Sequence, residues 1–235
     1  MAKTEVKVRI QRYLPEKSAE PFWQEYKLQV DEEATVLDVL NEIHWHMDGS
    51  LAYRRSCRSS ICGSCAVKVN GRNILACETP IHRLGRKLKI EPLPGFAIIK
   101  DLVVDFDEFF AKLKRIKPWL ITDQPLPDKE YLQSQEEVKQ ISEAATCILC
   151  GACTSSCPSL WPNPEYLGPA ALLKAYRFVF DSRDSGQEER LEIVNDRNGI
   201  WRCHTIFNCM EACPKKITIT DCLSKLKIKV TENSL

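Results

Sequence analysis

The sequence predicts an α+β chain: a strand-rich part over residues 1–105, then a helical part over residues 106–235. Three observations carry this. The cysteines fall in two groups, Cys57 to Cys77 and Cys147 to Cys222, with none between them. Apolar alternation of period two and a two-residue turn signal frame the first group. Helical periodicity without strand signals frames the second.

The elements follow in order. "VKVRI" alternates from Val6 to Ile10 as a strand. Phe22, Tyr26, Leu28 and Val30 share one face of a second strand, after a turn marked by Pro15 and Pro21. In "TVLDVLNEI", Thr35 is an N-cap with Asp38 three residues on, a capping-box variant, and Val36, Val39, Leu40 and Ile43 form the apolar stripe. "AVKVNGRNILAC" reads as a hairpin around Asn70-Gly71, the preferred type I′ pair. "KLKI", Lys87 to Ile90, is a last short strand. The segment from Pro92 reads as a crossover with long helical periodicity, placing the boundary near Asp105. "SQEEVKQISEAATC", "GPAALLKAYRFVFDSRD" and "ITDCLSKLKIKV" then read as helices.

Composition narrows the function. Net charge is +1 with 33 basic and 32 acidic residues, which argues against a general nucleic-acid binder. "MAKTEVKVRI" lacks the apolar core of a secretory signal. The best apolar run, "ALLKAYRFVF", is too short to span a bilayer and carries Lys174 and Arg177. Twelve cysteines in a 235-residue chain without a secretory signal read as metal ligands rather than disulfides. No phosphate-binding loop, dinucleotide fingerprint or catalytic triad is present in the sequence.

The cysteines form three sets. Cys57, Cys62, Cys65 and Cys77 have the C-x4-C-x2-C spacing with a distant fourth, the plant-type [2Fe–2S] pattern. Gly63 lets the backbone approach closely there. Zinc is the alternative, but its ligands usually come as two C-x2-C pairs. Cys147, Cys150, Cys153 and Cys157, followed by Pro158, match C-x2-C-x2-C-x3-C-P in full. "CHTIFNCMEACP" repeats it with Cys203, Cys209 and Cys213, but Ile206 stands where the second cysteine belongs. In two-cluster ferredoxins the fourth cysteine of each run serves the other cluster. Cys147, Cys150, Cys153 and Cys213 therefore give a [4Fe–4S] site, and Cys157, Cys203 and Cys209 a three-thiolate site. The latter is expected to hold [3Fe–4S]; the alternative is [4Fe–4S] with an open iron, against which the apolar Ile206 argues.

The strand–strand–helix–hairpin–strand order around a cysteine loop resembles a plant-type ferredoxin, a β-grasp; the second part resembles an α-helical, bacterial-type ferredoxin. The three sets together resemble the iron–sulfur subunits of succinate dehydrogenase and fumarate reductase. "YRRSCRSSICGSC", "CILCGACTSSCP", "NPEYLGPAALLKAYRFVFDSRD" and "RCHTIFNCMEACP" carry the likeness, which covers nearly the whole chain. It implies partners: a flavoprotein subunit with covalent FAD that oxidises succinate, and membrane-anchor subunits with or without haem. It implies an electron route from FAD through [2Fe–2S], [4Fe–4S] and [3Fe–4S] to a quinone, on the cytoplasmic face of the cell membrane. It places the quinone near Pro158, Ser159, Trp161, His204 and Ile206. Many ubiquinone-type members have two consecutive tryptophans here. This chain has "LWPNP", with Pro162 in the second position, so ubiquinone and menaquinone both stay open.

Other residues read as structural. His44 and His46 read as structural or solvated, because four thiolates already satisfy the neighbouring site. Arg54, Arg55 and Arg58 flank Cys57 and either favour the reduced cluster, pair with a partner or are solvated. Cys222 shares a helical face with Ile219, Leu223, Leu226 and Val230 and reads as a core cysteine. Competing functions are the same wire run as a quinol:fumarate reductase subunit, a soluble multi-cluster ferredoxin, and a zinc scaffold.

Overall fold

The computed structural model describes residues 3–17, 20–123, 125 and 127–233. The strands are β1 (Lys3–Arg12), β2 (Phe22–Asp31), β3 (Ala66–Val69), β4 (Arg72–Leu75), β5 (Lys87–Glu91), β6 (Ile98–Lys100) and β7 (Val103–Val104). The helices are α1 (Val36–His46), α2 (Asp107–Arg115), α3 (Gln135–Ala145), α4 (Ala152–Ser155), α5 (Gly168–Val179), α6 (Gln187–Val194), α7 (Asn208–Glu211) and α8 (Ile219–Asn233). They fold into two compact units, Met1–Phe106 with Ile148–Ser155, and Asp107–Cys147 with Ser156–Leu235.

The first unit is built on a five-stranded sheet of order β2-β1-β5-β3-β4. β1 runs antiparallel to β2 and parallel to β5. Val6, Val8 and Ile10 are buried while Lys7 and Arg9 face out, as period-two alternation requires. Tyr26 and Val30 of β2 point inward on the same rule, but Phe22, expected on that face, is exposed at the strand's end. α1 starts on the anticipated capping box: the Asp38 N–H donates to Thr35 Oγ1 (3.2 Å) and the Thr35 N–H to Asp38 Oδ2 (2.8 Å). Its stripe Val36, Val39, Leu40 and Ile43 is buried. Between β3 and β4, Asn70 (φ 48°) and Gly71 (φ 85°) make the type I′ turn.

The segment after Pro94 differs from its helical reading. Its apolar residues form a short hairpin, β6 and β7, and the helix α2 starts only at Asp107. β-branched Ile98, Ile99, Val103 and Val104 favour strands, and Asp101 at φ 47° turns the chain between them. The Asp101 carboxylate is buried and accepts from Arg12 Nε (2.8 Å) and from the Tyr13 and Ala52 N–H groups (3.0 and 2.8 Å). The same Arg12 guanidinium reaches Tyr26 Oη (2.9 Å) and Asp48 (2.6 Å). This network fixes Ala52, five residues ahead of Cys57.

The second unit is helical; among the described residues no strand follows Val104. α5 is buried on nearly every side and packs against α2, α3, α6 and α8. α3 begins on a capping box in which the Glu137 N–H donates to Ser134 Oγ (3.2 Å) and the Ser134 N–H to Glu137 Oε2 (2.6 Å). α8 buries Ile219, Cys222, Leu223, Leu226 and Val230, the stripe its spacing indicates. Burial pushes the Cys222 thiol up to about 11, as befits a core cysteine.

Candidate iron–sulfur cluster sites

Four cysteines of the first unit are set by the β3–β4 hairpin and the loop before it. Cys65 precedes β3 and Cys77 follows β4; Ala66 pairs with Leu75, and the Ala76 N–H donates to the Cys65 carbonyl (3.1 Å). The loop from Cys57 bends through positive φ at Arg58, Ser60 and Gly63. Those bends turn amides toward sulfur. Ser59, Ile61 and Cys62 N–H donate to Cys57 Sγ at 3.3–3.4 Å, and Ser60 N–H donates to Cys77 Sγ at 3.3 Å. The Ser64 hydroxyl pulls the exposed Cys62 thiol down to about 6. Burial pushes Cys65 up to about 12. No three His, Cys, Asp or Glu side chains among the described residues are grouped to hold a single metal ion. The fit to a cluster rests on the donor set and its amides: four thiols, with backbone N–H groups that stabilise negative charge on sulfur.

Gly63 brings a second ligand loop against the first within the same unit. A Cβ there would lie 2.8 Å from Cys150 Cβ and 2.9 Å from the Ile148 carbonyl. That loop turns at Leu149 (φ 55°) and Gly151 (φ 77°), and buries Cys150 and Cys153. It is held by Asn73 Nδ2 donating to the Ala152 carbonyl (3.0 Å) and Ser155 Oγ to the Pro94 carbonyl (2.6 Å). The other two residues expected at the [4Fe–4S] site, Cys147 and Cys213, fall in the second unit. Lys174 of α5 donates to the Cys147 carbonyl at 3.2 Å, a contact with no local sequence signal.

The three-thiolate set lies wholly in the second unit. Cys157, Cys203 and Cys209 line one cavity, together with Tyr166, Ile206 and Phe207. Thr205 (φ 56°) and Phe207 (φ 71°) curl the chain around it. Burial, then the neighbouring Cys157 and Cys203, push Cys209 up to about 12. Burial also raises Cys157, against amide donation from Ser159 and Leu160. Three converging thiols with amide donors suit a cluster bound through three cysteines.

Residues expected near quinone separate here. Pro158, Ser159, His204 and Ile206 line this cavity; Trp161 does not, and is 59% exposed. Ser159 is buried, and its side chain bonds to Cys157. Ile206 stands at the missing-cysteine position, half exposed. Sequence reasoning passed over Tyr166 and Lys227; the latter's Nζ donates to the Cys203 carbonyl at 2.7 Å. Among the residues read as structural, His44 Nδ1 lies 3.1 Å from the Leu51 carbonyl, and His46 faces Glu42 at 3.7 Å. Arg54 stacks over Phe106, and Arg55 over Trp45 and Tyr53.

Fold and sites define a class: an iron–sulfur protein with a plant-type cysteine set in a sheet-based unit, followed by a paired bacterial-type run. Residues 7–111 match the family described as a 2Fe-2S iron-sulfur cluster binding domain, and residues 139–214 the 4Fe-4S dicluster domain. The chain is 40% identical over 231 residues to the succinate dehydrogenase iron-sulfur subunit of Coxiella burnetii, covering 96% of this chain and 97% of that one. It is 41% identical over 220 residues to the subunit of the same name from Paracoccus denitrificans, covering 93% and 85%. Among solved structures, a chain of the Mycobacterium smegmatis Sdh1 complex in the apo form matches with TM-score 0.90 and 28% identity, over 98% of this chain and 97% of that one. A hypothetical protein from Helicobacter pylori matches with TM-score 0.57 and 16% identity, over 95% of this chain and 39% of that one, a likeness of fold alone. The chain belongs to the family of succinate dehydrogenase iron–sulfur subunits.

Proposed function

We propose that this chain conducts electrons from the FAD of a flavoprotein subunit, through [2Fe–2S], [4Fe–4S] and [3Fe–4S] centres, to a quinone beside membrane-anchor subunits. Its role as an iron–sulfur electron-transfer subunit of succinate dehydrogenase follows from the family. The clusters, when bound, supply one-electron carriers. The chain's own residues hold and tune them. Cys57, Cys62, Cys65 and Cys77 ligate the first, within a β-grasp domain of residues 1–105. Cys147, Cys150, Cys153 and Cys213 ligate the second. Cys157, Cys203 and Cys209 ligate the third, within an α-helical ferredoxin domain of residues 106–235.

The observation that carries the third assignment is the cavity where Cys157, Cys203, Cys209 and Ile206 meet. An isoleucine at the fourth corner offers no ligand to an iron. A three-iron cluster generally sits at a higher potential than its four-iron counterpart, which suits the last carrier before quinone. Exposed Trp161, Trp201, Ile206 and Phe207 supply apolar surface for an anchor partner and quinone, with Pro158, Ser159 and His204 beside them. No helix among the described residues is long and apolar enough to cross a membrane, so attachment on the cytoplasmic face would come through the anchor.

The test is a redox-titrated EPR spectrum of the intact complex. It should resolve three centres, one of them an oxidised [3Fe–4S] signal. Ile206→Cys is expected to convert that centre to [4Fe–4S] and lower its potential; persistence of the [3Fe–4S] signal in the variant would refute the ligand map.

A further inference from the structure

We propose that the outer face of the five-stranded sheet binds a compact polyanion of the polyphosphate class through Lys7, Lys27 and Lys87. The site lies in the first unit and shares no residue with the cysteine sets. Strand register builds it. Lys7 of β1 pairs across to Lys27 of β2 on one side and to Lys87 of β5 on the other. Three exposed lysines therefore stand in one cross-strand row, which spans about 10 Å at the usual strand spacing. The next row on the same face holds Arg9 between Glu25 and Lys89. Together these residues line a hollow of about 330 Å³, within the size range of small-molecule sites.

The row works against the fold unless an anion offsets it. Like charges directly opposite on neighbouring strands repel. Period-two burial asks only for a polar side chain at these outward positions, not for lysine three times. Arg9 faces Glu25 at 4.0 Å, and Lys89 faces Glu91 at 3.3 Å. Lys7, Lys27 and Lys87 make no ion pair among the described residues. Their platform is held in place: the Asn70 side chain donates to the Lys87 carbonyl (3.0 Å) and accepts from the Lys89 N–H (2.8 Å). Arg9 and Lys89 lie over the Trp23 ring, 4.8 and 4.7 Å from its centroid, which keeps their charges beside the row. The positive patch is short, because Glu5 of β1 and Glu91 of β5 bound it along the strands. Its footprint suits a small molecule rather than a macromolecular surface. Lysine meets phosphate as a point charge, and linked phosphoryl groups put several charges within reach of one row.

The experiment is isothermal titration calorimetry of the intact complex in phosphatidylcholine nanodiscs, with sodium tripolyphosphate as the probe. Saturable binding is expected, weakening as salt rises because exposed charges are screened. Lys7→Gln, Lys27→Gln and Lys87→Gln combined should weaken it about tenfold or more, a few-fold per lysine. Arginine at the same three positions should keep it within about threefold, since the charges stay. Glutamine at exposed Lys114, Lys139 and Lys225 removes the same charge elsewhere and should change it less than about twofold. The [2Fe–2S] EPR signal should be the same in every variant, which reports a folded first unit. If the glutamine triple variant loses that signal, Lys7→Gln alone is read, with a loss of about threefold expected. No saturable binding to the wild-type complex, or equal affinity in the wild type and the Lys7 variants, overturns the proposal. Tighter binding of citrate or of hexaglutamate than of tripolyphosphate overturns the polyphosphate class. Loss of binding in nanodiscs that also contain phosphatidylglycerol assigns the face to a lipid surface and overturns it too.

Discussion

At Gly63 two constraints meet in one residue. Its φ of +72° is strained for any side chain, and a Cβ would press on Cys150 Cβ at 2.8 Å. Gly71 provides the control, with φ +85° and nothing within 4 Å of its Cβ position. Gly71→Ala should cost about 1 kcal/mol from backbone strain, with iron content unchanged. Gly63→Ala should cost more, about 2–4 kcal/mol, because backbone atoms of the second ligand loop must also move. Iron and acid-labile sulfide per chain, with the melting temperature, separate the two. Equal losses in both variants would mean that the contact with Cys150 is unimportant. Tight backbone at Gly63 was legible from its place in the cysteine loop. Its contact was not, because Cys150 lies 87 positions along the chain and no local pattern records that neighbour.

Elements with local signals were the readable ones. α1 and α3 start on capping boxes, the β3–β4 turn is Asn-Gly, and α8 shows its stripe. Two elements depend instead on distant charges. β6 and β7 turn at Asp101, whose carboxylate is held by Arg12, 89 positions away. α6, largely polar in sequence, buries Arg190 completely. That guanidinium donates to the Lys117 carbonyl (2.9 Å), the Trp119 carbonyl (2.7 Å), the Ile116 carbonyl (3.1 Å) and the buried Asp184. Arg190→Met would remove the counter-charge of Asp184, which keeps only the neutral Ile121 and Gly186 N–H donors, and one donor from each of those carbonyls. Breaking a buried pair from one side costs about 3–5 kcal/mol, and a drop of that size is expected in urea unfolding. A loss below 1 kcal/mol would mean that water replaces the guanidinium. The candidate sites divide in the same way. Their cysteines are fixed by spacing, whereas Tyr166, Lys174 and Lys227 come from other elements and carry no spacing rule.

On the scale of the whole molecule, acid stability depends on a few buried carboxylates rather than on net charge, since 33 cations and 32 anions nearly cancel. In the second unit the critical group is Asp181, whose side chain has no exposed surface. Burial alone would raise its pKa. Hydrogen bonds from the Arg183 side chain and backbone and from Arg177 outweigh that and pull it from 3.8 down to about 2. Gln133 donates to the same carboxylate at 3.1 Å, so the group ties the end of α5 to the segment ahead of α3. A carboxyl with a depressed folded pKa stabilises the fold above its unfolded value, near 3.8, and loses that contribution as pH falls toward 2. The shift is worth on the order of 2 kcal/mol. Asp181→Asn should therefore be less stable than wild type by at least about that amount at pH 7, with the deficit narrowing between pH 4 and pH 2. Urea midpoints followed by far-UV circular dichroism at pH 7, 4 and 2.5 measure it. Acid loss of sulfide is common to both proteins, so the difference between them is the quantity to read. A deficit that stays constant down to pH 2.5 would show that ionisation of Asp181 contributes nothing and that the side chain matters through shape alone.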